Sequence, residues 1–265
     1  MFDFRVTLSI INDLLNQKKI SANKMLIDCG LGTSTIKNME SGSVPSVDKI
    51  LAIADYLGCS VDYLLGRDMI QKNIVILVSG GGTNLQALIN AQKRGEINNG
   101  RITCVISSKQ DAYALERAKQ NNIKTRIIPR KDYDGVAAYS EAVLAALKEE
   151  NADLIVYAGF MTILDECVCR EYENKMINVH PALIPSFCGK GYYGLRVHEA
   201  VLERGVKLTG ATVHFVNEIC DGGPIILQKA IPVLSTDTPE TLQKRVMEQC
   251  EWELLPKAVS LVLNS

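Results

Sequence analysis

Ile74-Val75-Ile76-Leu77-Val78-Ser79-Gly80-Gly81-Gly82-Thr83-Asn84-Leu85-Gln86-Ala87-Leu88-Ile89 is the stretch whose reading decides the fold. It opens as a continuous apolar run rich in β-branched residues, the mark of a strand buried on both faces of a parallel sheet. Three glycines follow, and helical residues begin at Leu85. A glycine-rich turn from a strand into a helix N-terminus is an anion site, because free N–H groups point outward and no side chain keeps a phosphate away. A dinucleotide fingerprint would place a further glycine where Leu85 stands, so a single phosphate monoester fits better than a pyrophosphate. The bland alternative is a plain strand-to-helix turn, and three successive glycines before Thr83-Asn84 count against it.

Outward from this unit the same alternation continues. Apolar runs at 102–106, 124–128, 154–158 and 177–179 read as strands, and 113–121 and 138–148 read as helices. Two runs at 212–216 and 225–228 look like a later strand pair, and 241–254 reads as a long C-terminal helix. Such alternation predicts an α/β fold, a mostly parallel sheet with right-handed crossovers and helices on both faces.

The chemistry gathers around Met176-Ile177-Asn178-Val179-His180-Pro181-Ala182-Leu183-Ile184-Pro185. Asn178 and His180 sit two apart on a strand, so their side chains share a face, and Pro181 and Pro185 stiffen the segment after it. Asp221-Gly222-Gly223-Pro224 is a tight turn whose aspartate either forms the turn or joins the other two. A carboxylate orients an imidazole and favours its charged form. An amide and an imidazolium then stabilise an oxyanion, and no serine or cysteine nucleophile is needed if the substrate brings its own amine. Asn178, His180 and Asp221 are therefore the candidate catalytic set. The other two histidines are expected to play lesser parts, His198 on the surface of the 186–194 loop and His214 as a strand residue near the site.

Residues 1 to 68 contain helical patterns and no convincing strand. Leu8, Ile11, Leu14 and Leu15 share a helical face. Ser21 opens a second helix, Thr33 a third through Glu40, Ser46 a fourth closed by Gly58, and Ser60 a short fifth. Two short helices joined by a glycine turn inside a five-helix unit is the helix-turn-helix pattern. The module is slightly acidic. Arg5, Lys18, Lys19, Lys24, Lys37, Lys49 and Arg67 are outnumbered by Asp3, Asp13, Asp28, Glu40, Asp48, Asp55, Asp62 and Asp68. Phosphate contacts supply most sequence-independent DNA affinity, so a protein-interaction or dimerisation module stands as the alternative, and a homodimer is among the expected partners. The polar join at 67–73 places the boundary between a domain at 1–69 and a second at 70–265.

Bulk composition is ordinary. The 265 residues are 47% hydrophobic and 22% charged with a formal net charge of −1, so any nucleic-acid role must be local rather than global. No apolar run has the length of a membrane span, and the N-terminus lacks a signal-peptide pattern. A cytoplasmic location without a membrane partner is the expectation. The eight cysteines form no Cys-x-x-Cys pair, so reduced structural thiols, no disulfide and no metal are expected.

Two resemblances sharpen these readings. Leu31-Gly32-Thr33-Ser34-Thr35-Ile36, Glu40-Ser41-Gly42 and the block from Ile53 to Gly66 resemble the Cro/repressor-like family. That resemblance implies DNA contact by Thr33, Ser34, Thr35, Lys37 and Asn38 at the start of the third helix. Ser79 to Gln86, Ala158 to Leu164, Ile177 to Pro185 and His214 to Pro224 resemble phosphoribosylglycinamide formyltransferases, over nearly everything after residue 70. The resemblance implies a Rossmann-like fold and transfer of a formyl group from 10-formyltetrahydrofolate, as co-substrate, to the amine of glycinamide ribonucleotide in purine biosynthesis.

By matching motif, Asn178 and His180 would stabilise the tetrahedral intermediate, with His180 as general acid and Asp221 raising its pKa. Gly82, Thr83 and Asn84 would hold the phosphate, and Glu251 would meet the substrate across a one-residue shift in helix spacing. Met161, Thr162, Ile163 and Leu164, with Asn178 and the turn Asn217, Glu218, Ile219 and Cys220, would bind the folate. Val136 and Thr162 stand where relatives often carry arginine. Two other readings remain: a transcriptional regulator that uses the second domain as a purine or folate sensor, and a sister activity on methionyl-tRNA or as a deformylase.

Overall fold

The computed structural model describes residues 4–66, 71–97 and 99–264. The chain divides into two compact units, 1–70 and 71–265. The expected boundary between residues 69 and 70 lies outside the described residues.

The first unit holds five helices, α1 (Phe4–Lys18), α2 (Ala22–Asp28), α3 (Thr35–Glu40), α4 (Val47–Leu57) and α5 (Val61–Leu64). Their apolar stripes meet in one small core that includes Ile11, Met25, Leu26, Ile53, Leu57 and Leu64. The caps follow the chemistry of the cap residues. Ser21 accepts from the Lys24 N–H and Ser60 from that of Tyr63, and Gly58 closes α4 in the left-handed conformation. α3 begins at Thr35, two residues later than the sequence reading placed it. Ser34 is therefore its N-cap, and Thr35 is buried against the core at 5% exposure. The structure removes Thr35 from the base-reading set; Thr33, Ser34, Lys37 and Asn38 are exposed.

The second unit is one seven-stranded sheet. Its strands are β1 (Lys72–Val78), β2 (Gly100–Ser107), β3 (Lys124–Ile127), β4 (Leu154–Tyr157), β5 (Met176–His180), β6 (Leu208–Phe215) and β7 (Ile225–Pro232), in the order β3-β2-β1-β4-β5-β6-β7. The first five are parallel, β6 runs against them, and β7 pairs antiparallel with β6. Helices α6 (Thr83–Lys93), α7 (Tyr113–Gln120), α10 (Leu195–Arg204), α11 (Pro239–Val246) and α12 (Trp252–Leu263) cover one face, and α8 (Gly135–Glu149) and α9 (Glu166–Glu171) the other.

Period-2 alternation feeds the two layers separately. Ile74, Ile76 and Val78 enter the first core, while Val75 and Leu77 enter the second. At about 25 cal/mol per Å² of apolar surface removed from water, this two-sided burial is the main force behind the strand run that opened the reading.

Two helices, α9 and α10, were not read from the sequence. The expected C-terminal helix is longer than 241–254. It runs from Pro239 to Leu263 and is interrupted by a π turn at Met247–Glu251. A π turn places one extra residue in a helical turn, and this one ends at Glu251. No helix among the described residues is long and apolar enough to cross a membrane.

Candidate active site

β1 and β4 are neighbours in the sheet, and the chain leaves them toward opposite faces, to α6 and to α9. Open α/β sheets bind ligands in the crevice at such a switch point. Ser79 ties it together. Its N–H donates to the Gly159 carbonyl at 3.1 Å, and its Oγ accepts from the Met161 N–H at 2.9 Å. A cleft of about 990 Å³ opens there. Asn178, His180, Asp221, Gly82, Thr83, Asn84, Glu251, the 161–164 segment and the 217–220 turn all line it. Val136 does not; it sits 41% exposed in the first turn of α8.

The three chemical side chains reach the cleft from β5 and from the β6–β7 turn. His180 Nε2 lies 2.8 Å from the Phe187 carbonyl. A carbonyl only accepts, so Nε2 carries a proton and donates it there. This leaves Nδ1, 3.6 Å from Asp221 Oδ2, as the ring nitrogen available for chemistry. Asp221 sits at φ 55 in the tight turn and accepts from the Gly189 N–H at 2.8 Å. The Gly223 Cα hydrogen is also forced by packing, since a Cβ there would lie 1.8 Å from the Phe215 carbonyl.

His214 is more involved than a neighbouring strand residue. The antiparallel register sets it opposite Asn178. Its Nδ1 lies 2.8 Å from the Phe215 carbonyl and so carries the proton. Nε2 then accepts from Asn178 Nδ2 at 3.2 Å and lies 3.6 Å from Asp221 Oδ1. One Asn178 N–H is fixed by this contact, and the other remains for a ligand.

Two forces compete at His180. Burial dominates at His180 and pushes its imidazole below the usual value; the Asp221 carboxylate and the Phe187 carbonyl pull upward without overcoming it. At Asp221 burial pushes upward, but the nearby His214 and His180 rings and the hydrogen bond from the Gly189 N–H together hold the carboxyl below its ordinary range. A correction concerns His198. It is fully buried in α10, not on a loop surface, and neither ring nitrogen has a hydrogen-bond partner. Burial, with His180 nearby, pushes it down to about 4.

The glycine loop meets the C-terminal helix. Gly82 caps α6 at φ 71, and a Cβ there would fall 2.6 Å from that of Ala114. Thr83 Oγ1 lies 3.2 Å from Met247 Sδ, and Asn84 Nδ2 donates to Glu251 Oε2 at 2.7 Å. Burial raises the Glu251 carboxyl, and Asn84 opposes this. On the other wall Met161, Ile163 and Ile219 present exposed apolar surface, at 57%, 57% and 61%. Thr162 is half-buried and Leu164 buried. The sequence reading did not mark Lys109, Gln243 or Met247, which also line the cleft. Lys109 closes the serine-rich end of β2, and Gln243 and Met247 are spaced i, i+4 ahead of Glu251, a signal visible only once the helix is known to reach the site.

A formyl transferase family model matches residues 72–259. The chain belongs to the formyl transferase family. A helix-turn-helix family model matches residues 11–64. Phosphoribosylglycinamide formyltransferase of Haemophilus influenzae is 40% identical to the formyl transferase unit over 188 residues, covering 71% of this chain and 85% of that protein. The trifunctional purine biosynthetic protein adenosine-3 of Gallus gallus is 43% identical over 191 residues, 72% of this chain, of which the chain spans only 18%. Among solved structures, glycinamide ribonucleotide transformylase 1 of Symbiobacterium toebii superposes with a TM-score of 0.69 at 38% identity, over 73% of this chain and 88% of that one.

Proposed function

We propose that the second unit transfers the formyl group of 10-formyltetrahydrofolate to the amine of glycinamide ribonucleotide. The observation that carries this reading is one cleft holding three parts: an anion loop, an apolar wall, and Asn178, His180 and Asp221 between them. The ribonucleotide phosphate sits on the N–H groups of Gly82, Thr83 and Asn84, and Glu251 meets the substrate from the C-terminal helix. The pterin lies against 161–164 and the backbone of Asn217, Glu218, Ile219 and Cys220. Held close to the formyl carbon, the amine attacks without an enzyme nucleophile. The free Asn178 N–H and His180 Nδ1 donate to the oxyanion. Asp221 steadies the imidazolium that this requires, against the burial that lowers it. Collapse breaks the bond to the folate nitrogen, which leaves with a proton as the amine gives one up. Among the described residues, no three His, Cys, Asp or Glu side chains converge in a way that could hold a metal ion.

Formyl transfer from the folate donor to glycinamide ribonucleotide by the full chain, lost in His180→Ala with the fold retained, is the expected result. Near-normal transfer by His180→Ala, or hydrolysis of the donor without acceptor, would overturn the reading.

For the first unit, the match at 11–64 and the exposed Thr33, Ser34, Lys37 and Asn38 support binding of a DNA operator. The chain then acts as an enzyme that also contacts DNA. A purely sensory second unit would have no need of a general acid.

A further inference from the structure

The loop that holds the catalytic pair is fastened on either side of a cysteine. Phe187 offers its carbonyl to His180 Nε2, and Gly189 offers its N–H to Asp221 Oδ2. Cys188 lies between them, half-buried, with its thiol donating to the Pro185 carbonyl at 3.3 Å. A second thiol lies on the other loop, near enough for Cys188 to add to the upward push on it. Cys220 is exposed, adjoins Asp221 in the chain, and directs Sγ to the same Oδ2 at 3.9 Å. The Cys220 sulfur and the Gly189 nitrogen thus share one carboxylate oxygen as neighbour. The two thiols sit on two loops that converge on a single atom of the site.

We infer that Cys188 and Cys220 are a redox pair that closes into a disulfide across the His180–Asp221 dyad. The oxidant is a peroxide. The Cys220 sulfur attacks one peroxide oxygen, the O–O bond breaks, and the other oxygen leaves as water, giving a sulfenic acid. The Cys188 sulfur then attacks the sulfenyl sulfur. The S–S bond forms, and the hydroxyl leaves as a second water with the Cys188 proton. Two thiols are oxidised and one peroxide is reduced. A small thiol reverses the bond by exchange.

Burial, then the Asp221 carboxylate, raises both thiols above their ordinary value. They rest protonated, and closure answers sustained peroxide rather than a pulse. A disulfide holds its two Cβ atoms about 3.8 Å apart, which draws both loops together. The Phe187 carbonyl and the Gly189 N–H then leave their bonds to the dyad. Displacement on that scale costs on the order of a hundredfold in turnover.

The effect on turnover rests on the formyl-transfer reading; the bond itself does not. The test treats the full chain with hydrogen peroxide for hours and then maps disulfides by mass spectrometry. In parallel it follows the ring signals of His180, one of three histidines, and formyl transfer before and after a thiol reductant. Expected are a Cys188–Cys220 cross-linked peptide, a shifted His180 signal and a turnover loss that reductant reverses, all absent in Cys188→Ser. Only sulfinic acid or intermolecular bridges, a cross-link with unchanged His180 signals, or the same reversible loss in Cys188→Ser would overturn the inference. A reduced chain that transfers no formyl group sinks the functional reading alone, and the peptide and the His180 signal still decide the pair.

Discussion

Asn84, in the first turn of α6, and Glu251, at the end of the π turn, are joined by a 2.7 Å hydrogen bond across 167 residues of sequence. The bond links the anion loop to the C-terminal helix. Glu251→Ala leaves the Asn84 amide without its partner, and Asn84 Oδ1 is already unpartnered. The expected destabilisation is about 1–3 kcal/mol. Glu251→Gln keeps an acceptor for Asn84 and removes a buried charge, so above the carboxylate range it is at least as stable as the parent. Urea unfolding of both variants decides; equal losses in the two would show that the bond is not the cause.

Asp221→Asn separates the effects acting on His180. Burial already lowers the imidazole, and the carboxylate is the main influence opposing it. Without that charge, the alkaline limb of the kcat profile, set by loss of the His180 proton, moves toward acid. Turnover falls by roughly two to four powers of ten. A limb that stays in place or moves toward alkali would exclude His180 as the titrating acid.

Acid stability has a defined window. His198 falls from 6.5 in the unfolded chain to about 4 when buried. A depressed folded value means that stability is fully present above 6.5 and lost as pH falls toward 4. His180 shifts in the same direction. Each such histidine contributes up to about 1.4 kcal/mol of stability lost per pH unit within its window. His198→Phe should flatten the dependence of the urea midpoint on pH across that window; an unchanged slope would rule out His198 as its source.

Gly82→Ala should injure both fold and binding. The residue sits at φ 71, and its added Cβ would meet the Ala114 backbone at 2.8 Å. A cost of about 1–3 kcal/mol comes from the strained conformation, with a raised KM for the phosphorylated substrate. Gly81→Ala is the control. Nothing lies within 4 Å of its added Cβ, so stability is retained and only phosphate affinity changes. Thermal melts of the two variants separate the cases.

Lys37 is exposed on α3 and is the positive charge closest in sequence to Thr33 and Ser34. If the first unit contacts an operator, Lys37→Ala weakens binding across all sequences and reduces the slope of log affinity against log salt by about one. An unchanged slope would point to a protein partner for this slightly acidic unit.

The features legible in the sequence were those that local chemistry decides. The run from Ile74 to Ile89 announced strand, glycine loop and helix because each part is fixed by its own residues. Asn178 and His180 declared a shared face through a spacing of two. The helix 195–204 also left a signal in the apolar spacing of Val197, Val201 and Leu202. The glycine-rich loop ahead of it masked the start, and His198 was therefore misplaced on the surface. His214 became a partner of Asn178 only through strand register, which is a property of two distant segments. Thr35 differs from its exposed neighbours Thr33 and Ser34 because its side chain is buried in the helical unit, which no cap residue announces. The direction of the His180 shift depended on burial, which no motif states.

The cleft's two walls rest on different cores. The phosphate loop and Glu251 are carried by helices packed on one face of the sheet, whereas Phe160 and Leu164 anchor the apolar wall in the layer on the other face. Repacking behind one wall therefore reaches the other mainly through Ser79 and its bonds to Gly159 and Met161, and substitutions away from that link should combine additively. Acceptor and donor preference are separately adjustable in such a protein. A lineage could drift toward a new ligand on one wall while its grip at the other stays intact.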